Sequence, residues 1–469
     1  MEPDTPMFPT RDRIPVWPGL GRVWLCCWLV AVSACAGGSS GPADAAPPLD
    51  SESCTPGCAG DAVRTCFPVE TSTPCPLGCD VGAPACRELV PSNGADRAQL
   101  TGVTAALRVP TGATYLLDTD TGEIIDLDND EQVREDGEGV VDGIGFYALD
   151  NEIGVLAVDS FTVEADGFLL ANGFNALIVL SGRDVSIQGE ISVSAFNLNR
   201  NGKNATRISG PGGGSGAVPG VVAAEGCAPG ADGNGVDGPG DETGGGGSGL
   251  GSSGAPGGLG ADGTEPGAGG LAGSAACPGS SLVPLRGGSG GGAGGIDINE
   301  AGAGSGGGGG GAIQITSFTR ILVIGSPGQF VDGILANGGG GGAGDGTVGG
   351  GGGGSGGSIL LEAPEMAVKF VILAANGGGG GGSDDATGAG AGQDGRFDST
   401  QAEGGGGQRP GGRGAALNGG ATIGTAGADG TGGGGGGVGI IRFNVPEPFF
   451  EVEAATISPM YTRGDPQTR

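Results

Sequence analysis

Glycine accounts for 114 of the 469 residues and is concentrated in runs such as Gly349–Gly354 and Gly432–Gly437. An average protein contains about 7% glycine. A glycine has no side chain to bury, and ordering it costs more backbone entropy than ordering any other residue. The runs do not keep Gly at every third position, which excludes a collagen triple helix. Because the only tryptophans are Trp17, Trp24 and Trp28, a large core built on aromatic side chains is excluded as well.

The charged residues are strongly unbalanced. Asp and Glu total 52 against 21 Lys and Arg, which gives a formal charge of −31, and Lys203 and Lys369 are the only lysines. Such acidity argues against a nucleic-acid partner and against binding to an anionic lipid surface. The chain contains no His, which excludes His-dependent catalytic triads and His-ligated metal sites.

The N-terminal residues have the pattern of an export signal. Arg11, Arg13 and Arg22 precede a short apolar run over 23–32. This run is too short to span a bilayer as a helix, but it suits the apolar region of a signal peptide. Translation begins at either Met1 or Met7, and both choices keep the basic residues ahead of the run.

The apolar run ends in Val32-Ser33-Ala34-Cys35, which resembles the lipobox of bacterial lipoproteins. The resemblance implies a signal peptide over 1–34 and lipidation of Cys35. It also implies a place in the outer membrane or on the cell surface of a Gram-negative bacterium. The alternative is an ordinary signal-peptidase site near Ala34, which would release the exported protein.

After removal of the leader and lipidation of Cys35, an even number of cysteines is left, as an oxidising compartment requires. The eight are Cys54, Cys58, Cys66, Cys75, Cys79, Cys86, Cys227 and Cys277. The first six are close in sequence and predict three disulfides, whose connectivity the sequence leaves open. The count then pairs Cys227 with Cys277. Zinc binding is disfavoured by the export signal and by the missing His.

These features divide the chain into six parts. They are a signal peptide over 1–34, a lipid-anchored flexible tether over 35–52, a Cys-rich disulfide module over 53–90, an acidic β-rich region over 91–160, a repeat region over 161–447 and a C-terminal tail over 448–469. The module has too few apolar residues for a core of its own, so disulfides are expected to hold it.

Short β-branched strands recur from residue 161 onwards, and the clearest copies are 311–338 and 357–377. One unit cannot bury its apolar face alone, so the units are expected to stack. The pattern resembles the right-handed parallel β-helix of the pectate-lyase-like superfamily. This resemblance implies an all-β fold in which a turn Asn, with φ > 0, stacks on the Asn of the next coil. The matching positions, each within Ala-Asn-Gly, are Asn172, Asn337 and Asn376.

Long Gly-rich inserts separate the repeats over about 196–292, 338–356 and 377–437. Two interpretations remain open. The inserts are either flexible solvated loops or polyproline-II strands packed side by side, which only Gly permits. The second interpretation resembles the Gly-rich bundles of some phage tip adhesins and arthropod antifreeze proteins.

The acidic run that begins at residue 118 has alternating carboxylates, the spacing that a calcium loop needs. The candidate ligands are Asp118, Asp120, Asp126, Asp128 and Asp130. The match is partial, because Glu131 stands where such a loop needs Gly and Gly137 stands where it needs Glu. We therefore expect an acidic solvated edge, and calcium is the only cofactor that the sequence suggests.

The resemblance to pectin-degrading β-helix enzymes also suggests catalysis. Their hydrolases use a His that this chain lacks, and Asp384-Asp385 lies in an insert where no rigid strand would hold it. A Ca²⁺-dependent polysaccharide lyase, with Arg442 or Lys369 as its base, is the alternative. We expect a non-catalytic structural or adhesive lipoprotein that binds polysaccharide or another cell surface.

Overall fold

The computed structural model describes the chain from residue 55 onwards, apart from short gaps. The described residues are 55–66, 71–150, 152–197, 207–235, 242–260, 268–275, 277, 279–296, 302–327, 332–384, 388–428 and 430–469. They form an all-β structure in which no α-helix occurs. The predicted signal peptide, Cys35, the tether, Cys54 and Asp385 lie outside these residues.

Three large sheets make up the body of the protein. The first contains, in order across the sheet, Gly139–Val141, Ile144–Leu149, Ile153–Val158, Ala176–Ser181, Ala312–Ser317, Ser358–Glu362, Ile440–Asn444 and Thr462–Gly464. The second contains Leu107–Val109, Phe161–Val163, Val185–Ile187, Arg320–Ile324, Glu365–Lys369 and Phe450–Glu453. The third contains Glu131–Arg134, Ile124–Asp126, Thr114–Asp118, Phe168–Asn172, Glu190–Ser192, Gly333–Leu335, Ile372–Ala374 and Thr456–Ser458.

From Ile153 onwards the chain visits the first, second and third sheets in turn and then repeats the circuit. Equivalent strands of successive circuits pair in parallel, as in the register of Ile313 with Ile359 and of Ile359 with Ile441. Alternate residues of these strands are buried in one continuous apolar cluster shared by all three sheets. The β-branched repeats therefore fold as stacked units, because each circuit covers the apolar edge of the one before it.

Antiparallel hairpins close the N-terminal end of this stack. Arg134 is fully buried there, and its guanidinium donates to the backbone carbonyls of Gly122, Glu135 and Gly137, each at 2.8 Å. It also reaches the carbonyls of Gly139 and Ile144. Burial lowers the pKa of Arg134. This side chain thus supplies donors to backbone carbonyls at the end of the stack.

The disulfide module and the C-terminus meet in the structure. The remaining short strands are Gly57–Cys58, Ala62–Thr65 and Thr71–Pro74; Cys79–Asp80 with Ala85–Cys86; Leu89–Val90 with Gln467–Thr468; Phe196–Asn197 with Arg207–Ile208; and Gly344–Asp345 with Ser383–Asp384. Two single 3₁₀ turns occur at Arg97–Leu100 and Glu447–Phe449. Leu89–Val90, at the end of the disulfide module, pairs antiparallel with Gln467–Thr468 at the end of the chain.

Disulfides join Cys58 to Cys79 and Cys75 to Cys86, and Cys66 is also disulfide-bonded. Cys227 is bonded to Cys277, the pair expected from the count. Each disulfide that the structure describes thus joins two of the eight cysteines predicted to be bonded.

The stack extends further in both directions than the repeat region 161–447. Leu107–Val109 and Thr114–Asp118 pair in parallel with strands of the second and third sheets. At the other end, Phe450–Glu453 and Thr456–Ser458 continue the same two sheets.

Candidate functional site: the glycine-rich layers

The Gly-rich inserts all leave the stack at the same corner, after a strand of the third sheet, and return into a strand of the first. Thus 336–344 follows Gly333–Leu335, and 349–357 leads into Ser358–Glu362. The described parts of the inserts are hydrogen-bonded to one another, and the central segments, such as 349–357 and 430–437, are buried. They are ordered layers beside the sheets.

Segment 349–357 lies at the centre of these layers. Successive backbone N–H groups bond to three different segments in rotation, so every third N–H returns to the same segment. Gly350, Gly353 and Gly356, for example, donate to the carbonyls of residues 431, 434 and 437. Its carbonyls accept from three further segments in the same threefold order. The six surrounding segments are 242–251, 285–295, 302–311, 336–344, 375–383 and 430–439.

This packing leaves no room for side chains. A Cβ added to Gly352 would lie 2.0 Å from the carbonyl oxygen of Gly246, and one on Gly433 would lie 2.0 Å from that of Gly351. Both distances are far below van der Waals contact. The glycine content is therefore explained by the close approach of neighbouring backbones.

Three segments, 254–260, 268–275 and 421–427, are hydrogen-bonded neighbours within the layers, and we call them the outer layer. Gly257 donates to Gly270 at 3.0 Å and Gly424 to Pro256 at 3.2 Å, so the segments lie side by side. Each exposes one large apolar side chain, with 56% of Leu259, 72% of Leu271 and 63% of Ile423 accessible. None of the three segments contains a charged residue, although the chain as a whole is strongly acidic.

A cleft of about 520 Å³ lies where the layers meet the first sheet. Its lining includes Asp150, Glu152, Glu225 and Arg286, and glycine backbone forms much of the remainder. Phe174, also part of this lining, is 84% exposed. The cleft thus combines an aromatic face with charged groups.

The predicted calcium ligands are distributed over separate turns of the third sheet. Asp118 accepts the N–H groups of Asp120 and Thr121, and Asp120 accepts those of Phe174 and Asn175. The carboxylate of Asp126 is held in the same way by residues 128 and 129, and that of Asp128 accepts the N–H of Thr114. Asp130 adopts φ 53°. Across the described residues, no group of three or more His, Cys, Asp or Glu side chains is placed to hold a metal ion.

The two proposed lyase bases are engaged elsewhere. Lys369 forms ion pairs with Glu451 at 2.5 Å and Glu453 at 3.6 Å. The hydrogen bond and charge of Glu451 raise the pKa of Lys369, so less of the amine is unprotonated near neutral pH and able to accept a proton. Arg442 bonds to Asn444 at 2.9 Å and to the carbonyl of Ser280 at 3.2 Å. The structure does not bring the acidic run, at the N-terminal end of the stack, to either residue.

Asn172, Asn337 and Asn376 occupy equivalent positions at one corner of the stack, as the repeat predicts. The expectation that they have φ > 0 is wrong for all three. After Asn337 and Asn376 the chain continues outward in an extended segment, so no left-handed turn is needed. After Asn172 the turn is made by Gly173, with φ 123°. Asn337 and Asn376 are buried, whereas Asn172 is exposed.

Sequence inspection missed a buried carboxylate on the outer side of the first sheet. Glu362 accepts hydrogen bonds from Ser92, Gln314 and Asn444, and additional ones from Thr316 and the Ser92 backbone. Ser92 belongs to residues 88–106, which cross this sheet from the last circuits to the first. The sequence pattern could have indicated this site, because polar residues recur at one position of the repeat, namely Thr316, Glu362 and Asn444. With five donors, the carboxylate is satisfied and structural.

Comparisons with protein-family models, curated proteins and solved structures find no match to this chain. Within the part of the chain that the structure describes, no helix has the length and apolar character needed to cross a membrane.

Proposed function

We propose that this protein is a non-catalytic surface lipoprotein with a structural and adhesive role. Its body would be a right-handed parallel β-helix in which each coil contributes one strand to each of the three sheets. Its inserts would be a bundle of polyproline-II strands. The threefold order of hydrogen bonds along 349–357 supports the second assignment, because polyproline II has three residues per turn.

Cys35 would anchor the protein through a lipid, and the proline- and glycine-rich residues behind it would serve as a tether. The support for this step is the lipobox-like sequence alone. Membrane fractionation tests it: wild-type protein should sediment with membranes, whereas Cys35→Ser should be soluble. Equal partitioning of the two would refute the anchor without bearing on adhesion.

Adhesion would reside in the outer layer, and the observation that carries this proposal is its exposed, uncharged apolar surface. Its three segments are hydrogen-bonded to one another, and each exposes one of Leu259, Leu271 and Ile423. Exposed apolar patches on soluble proteins commonly mark interaction sites. Because the three segments themselves contain no charged residue, the outer layer suits a neutral partner that also offers apolar area. The C–H faces of sugar rings in a neutral polysaccharide provide such a surface.

The test is binding of the exported protein to insoluble neutral polysaccharides, such as cellulose and chitin, measured by cosedimentation. A Leu271→Asp/Ile423→Asp double variant should lose about tenfold or more in affinity, since each aliphatic side chain contributes roughly 1.5–3 kcal/mol when buried. Val81→Asp is the matched control, because Val81 is 80% exposed but lies in the disulfide module.

Two further variants separate this proposal from others. Phe174→Ala alters the cleft alone, so a loss of binding confined to that variant would move the site from the outer layer to the cleft. Release of unsaturated uronides from acidic polysaccharides in calcium, abolished by Arg442→Ala or Lys369→Ala, would contradict the non-catalytic assignment.

A further inference from the structure

Asn-Gly pairs occur at several places in the described chain, and they differ in burial and in hydrogen bonding. They are Asn93-Gly94, Asn172-Gly173, Asn234-Gly235, Asn337-Gly338, Asn376-Gly377 and Asn418-Gly419. In such a pair the backbone nitrogen of Gly can attack the side-chain carbonyl of Asn. The reaction needs a free Asn side chain and enough local freedom to bring the two groups together.

Hydrogen bonds restrain the buried pairs and disfavour this reaction. The side chain of Asn93 makes three hydrogen bonds, to Leu282, Gln314 and Leu285. Those of Asn337 and Asn376 are also bonded. In addition, the attacking nitrogens are already committed, because Gly338 donates to the carbonyl of Asn376 and Gly377 to that of Ala415, each at 2.9 Å.

Asn172 lacks all of these restraints. It is the exposed last residue of Phe168–Asn172, and its side chain has no hydrogen-bond partner among the described residues. The following residue has to be Gly, since φ is 123° and a Cβ at Gly173 would lie 2.3 Å from the Thr119 hydroxyl. The fold therefore requires an Asn-Gly pair to stay at this exposed corner, where the Asn side chain is free to turn. Asn234 is similarly exposed, whereas the Asn418 amide bonds to Ser399 at 2.9 Å.

We propose that Asn172-Gly173 is a site of spontaneous deamidation. The Gly173 nitrogen, having lost its proton to solvent base, bonds to Cγ of Asn172, and the side-chain nitrogen leaves as ammonia. The resulting five-membered imide is then opened by one water at either carbonyl. The products are Asp and isoaspartate, the latter with its peptide link through the side chain.

Either product places a new carboxylate beside existing ones. Asn172 pairs in register with Asp118, and the nearby Asp120 carboxylate accepts the N–H groups of Phe174 and Asn175. Like charges opposite each other in a sheet destabilise it. Deamidation therefore loosens the turn over 172–175, which borders the cleft through Phe174.

The experiment is peptide mapping by mass spectrometry after incubation of the folded, exported protein at mildly alkaline pH. Isoaspartate is detected separately by enzymatic methylation. The Asn172 peptide should convert at least about tenfold faster than those of Asn337 and Asn376, because reaction at buried sites requires local opening. In denaturant this difference should disappear.

Conversion of Asn172 no faster than that of Asn337 in the folded protein would overturn the proposal. Asn172→Gln should abolish the modification while leaving the melting temperature unchanged. Asn172→Asp, which introduces the carboxylate without the altered peptide link, should melt below wild type, and an unchanged melting temperature would contradict the predicted loosening. None of these outcomes depends on whether the outer layer binds polysaccharide.

Discussion

The side-chain oxygen of Asn337 accepts the backbone N–H of Asn376, one circuit further along the stack, at 2.8 Å. The same arrangement occurs on both sides of this pair. The N–H of Asn337 bonds to the Ser194 hydroxyl, and the Asn376 oxygen accepts from Ser458. Polar side chains at one corner thus connect successive circuits where the Gly-rich segments begin.

Asn337→Ala should destabilise the protein by about 1–3 kcal/mol, because it leaves the buried N–H of Asn376 without a partner. The measurement is equilibrium unfolding in denaturant. Asn172→Ala is the control at the equivalent but exposed position, and it should change the free energy of unfolding by less than about 0.5 kcal/mol. Equal effects of the two substitutions would show that the corner bonds contribute nothing.

Gly352→Ala should destabilise far more than an ordinary Gly→Ala change, because the new methyl group would meet the Gly246 carbonyl at 2.0 Å. We expect a loss of at least about 3 kcal/mol, or failure to fold. The control is Gly420→Ala, whose added Cβ meets nothing within 4 Å. If both variants melt at the wild-type temperature, the segments are not packed as described.

Arg134→Met should cost about 3 kcal/mol or more, because five backbone carbonyls at the N-terminal end of the stack would lose their buried donor. Arg108→Met is the control, since Arg108 forms an exposed ion pair with Glu164. Thermal unfolding followed by circular dichroism distinguishes them. A wild-type melting temperature for Arg134→Met would mean that the hairpins close the stack without this side chain.

The hydrogen bond from the Asn129 side chain, together with the N–H groups of Asp128 and Asn129, lowers the pKa of Asp126 despite its burial. A lowered folded-state pKa stabilises the protein at pH values above the unfolded pKa of about 3.9, and this contribution is lost as pH falls through the folded value. Asp126→Asn should therefore be less stable than wild type at pH 7, and the gap should close as pH falls through and below the lowered folded-state pKa. A gap independent of pH would contradict the assignment.

The stacked strands could be predicted from the sequence because Ile, Leu and Val recur with Ala-Asn-Gly at fixed positions. The order of the inserts could not. A glycine segment has no apolar periodicity, and whether it is ordered depends on which other segments surround it. For 349–357 those partners come from positions as far away as residue 245.

The outer layer could likewise not be predicted from the sequence. Leu259, Leu271 and Ile423 are isolated apolar residues within Gly-rich stretches, and only hydrogen bonds between segments bring their strands together. For the acidic run, the sequence indicated a site that the structure does not form. Its spacing suggested a metal loop, but short Asp side chains also accept hydrogen bonds from backbone N–H groups in turns, as Asp118 and Asp120 do here.

Hydrogen–deuterium exchange of the amides in 349–357 shows whether the Gly-rich inserts are packed, hydrogen-bonded layers. Each amide from Gly349 to Gly357 donates to a neighbouring segment, so exchange should require an opening close to global unfolding. The exposed amides of Val81 and Ala83 in the disulfide module give the unprotected reference rate. Protection comparable to that of Ser358–Glu362 is the predicted result, and exchange at the reference rate would contradict it.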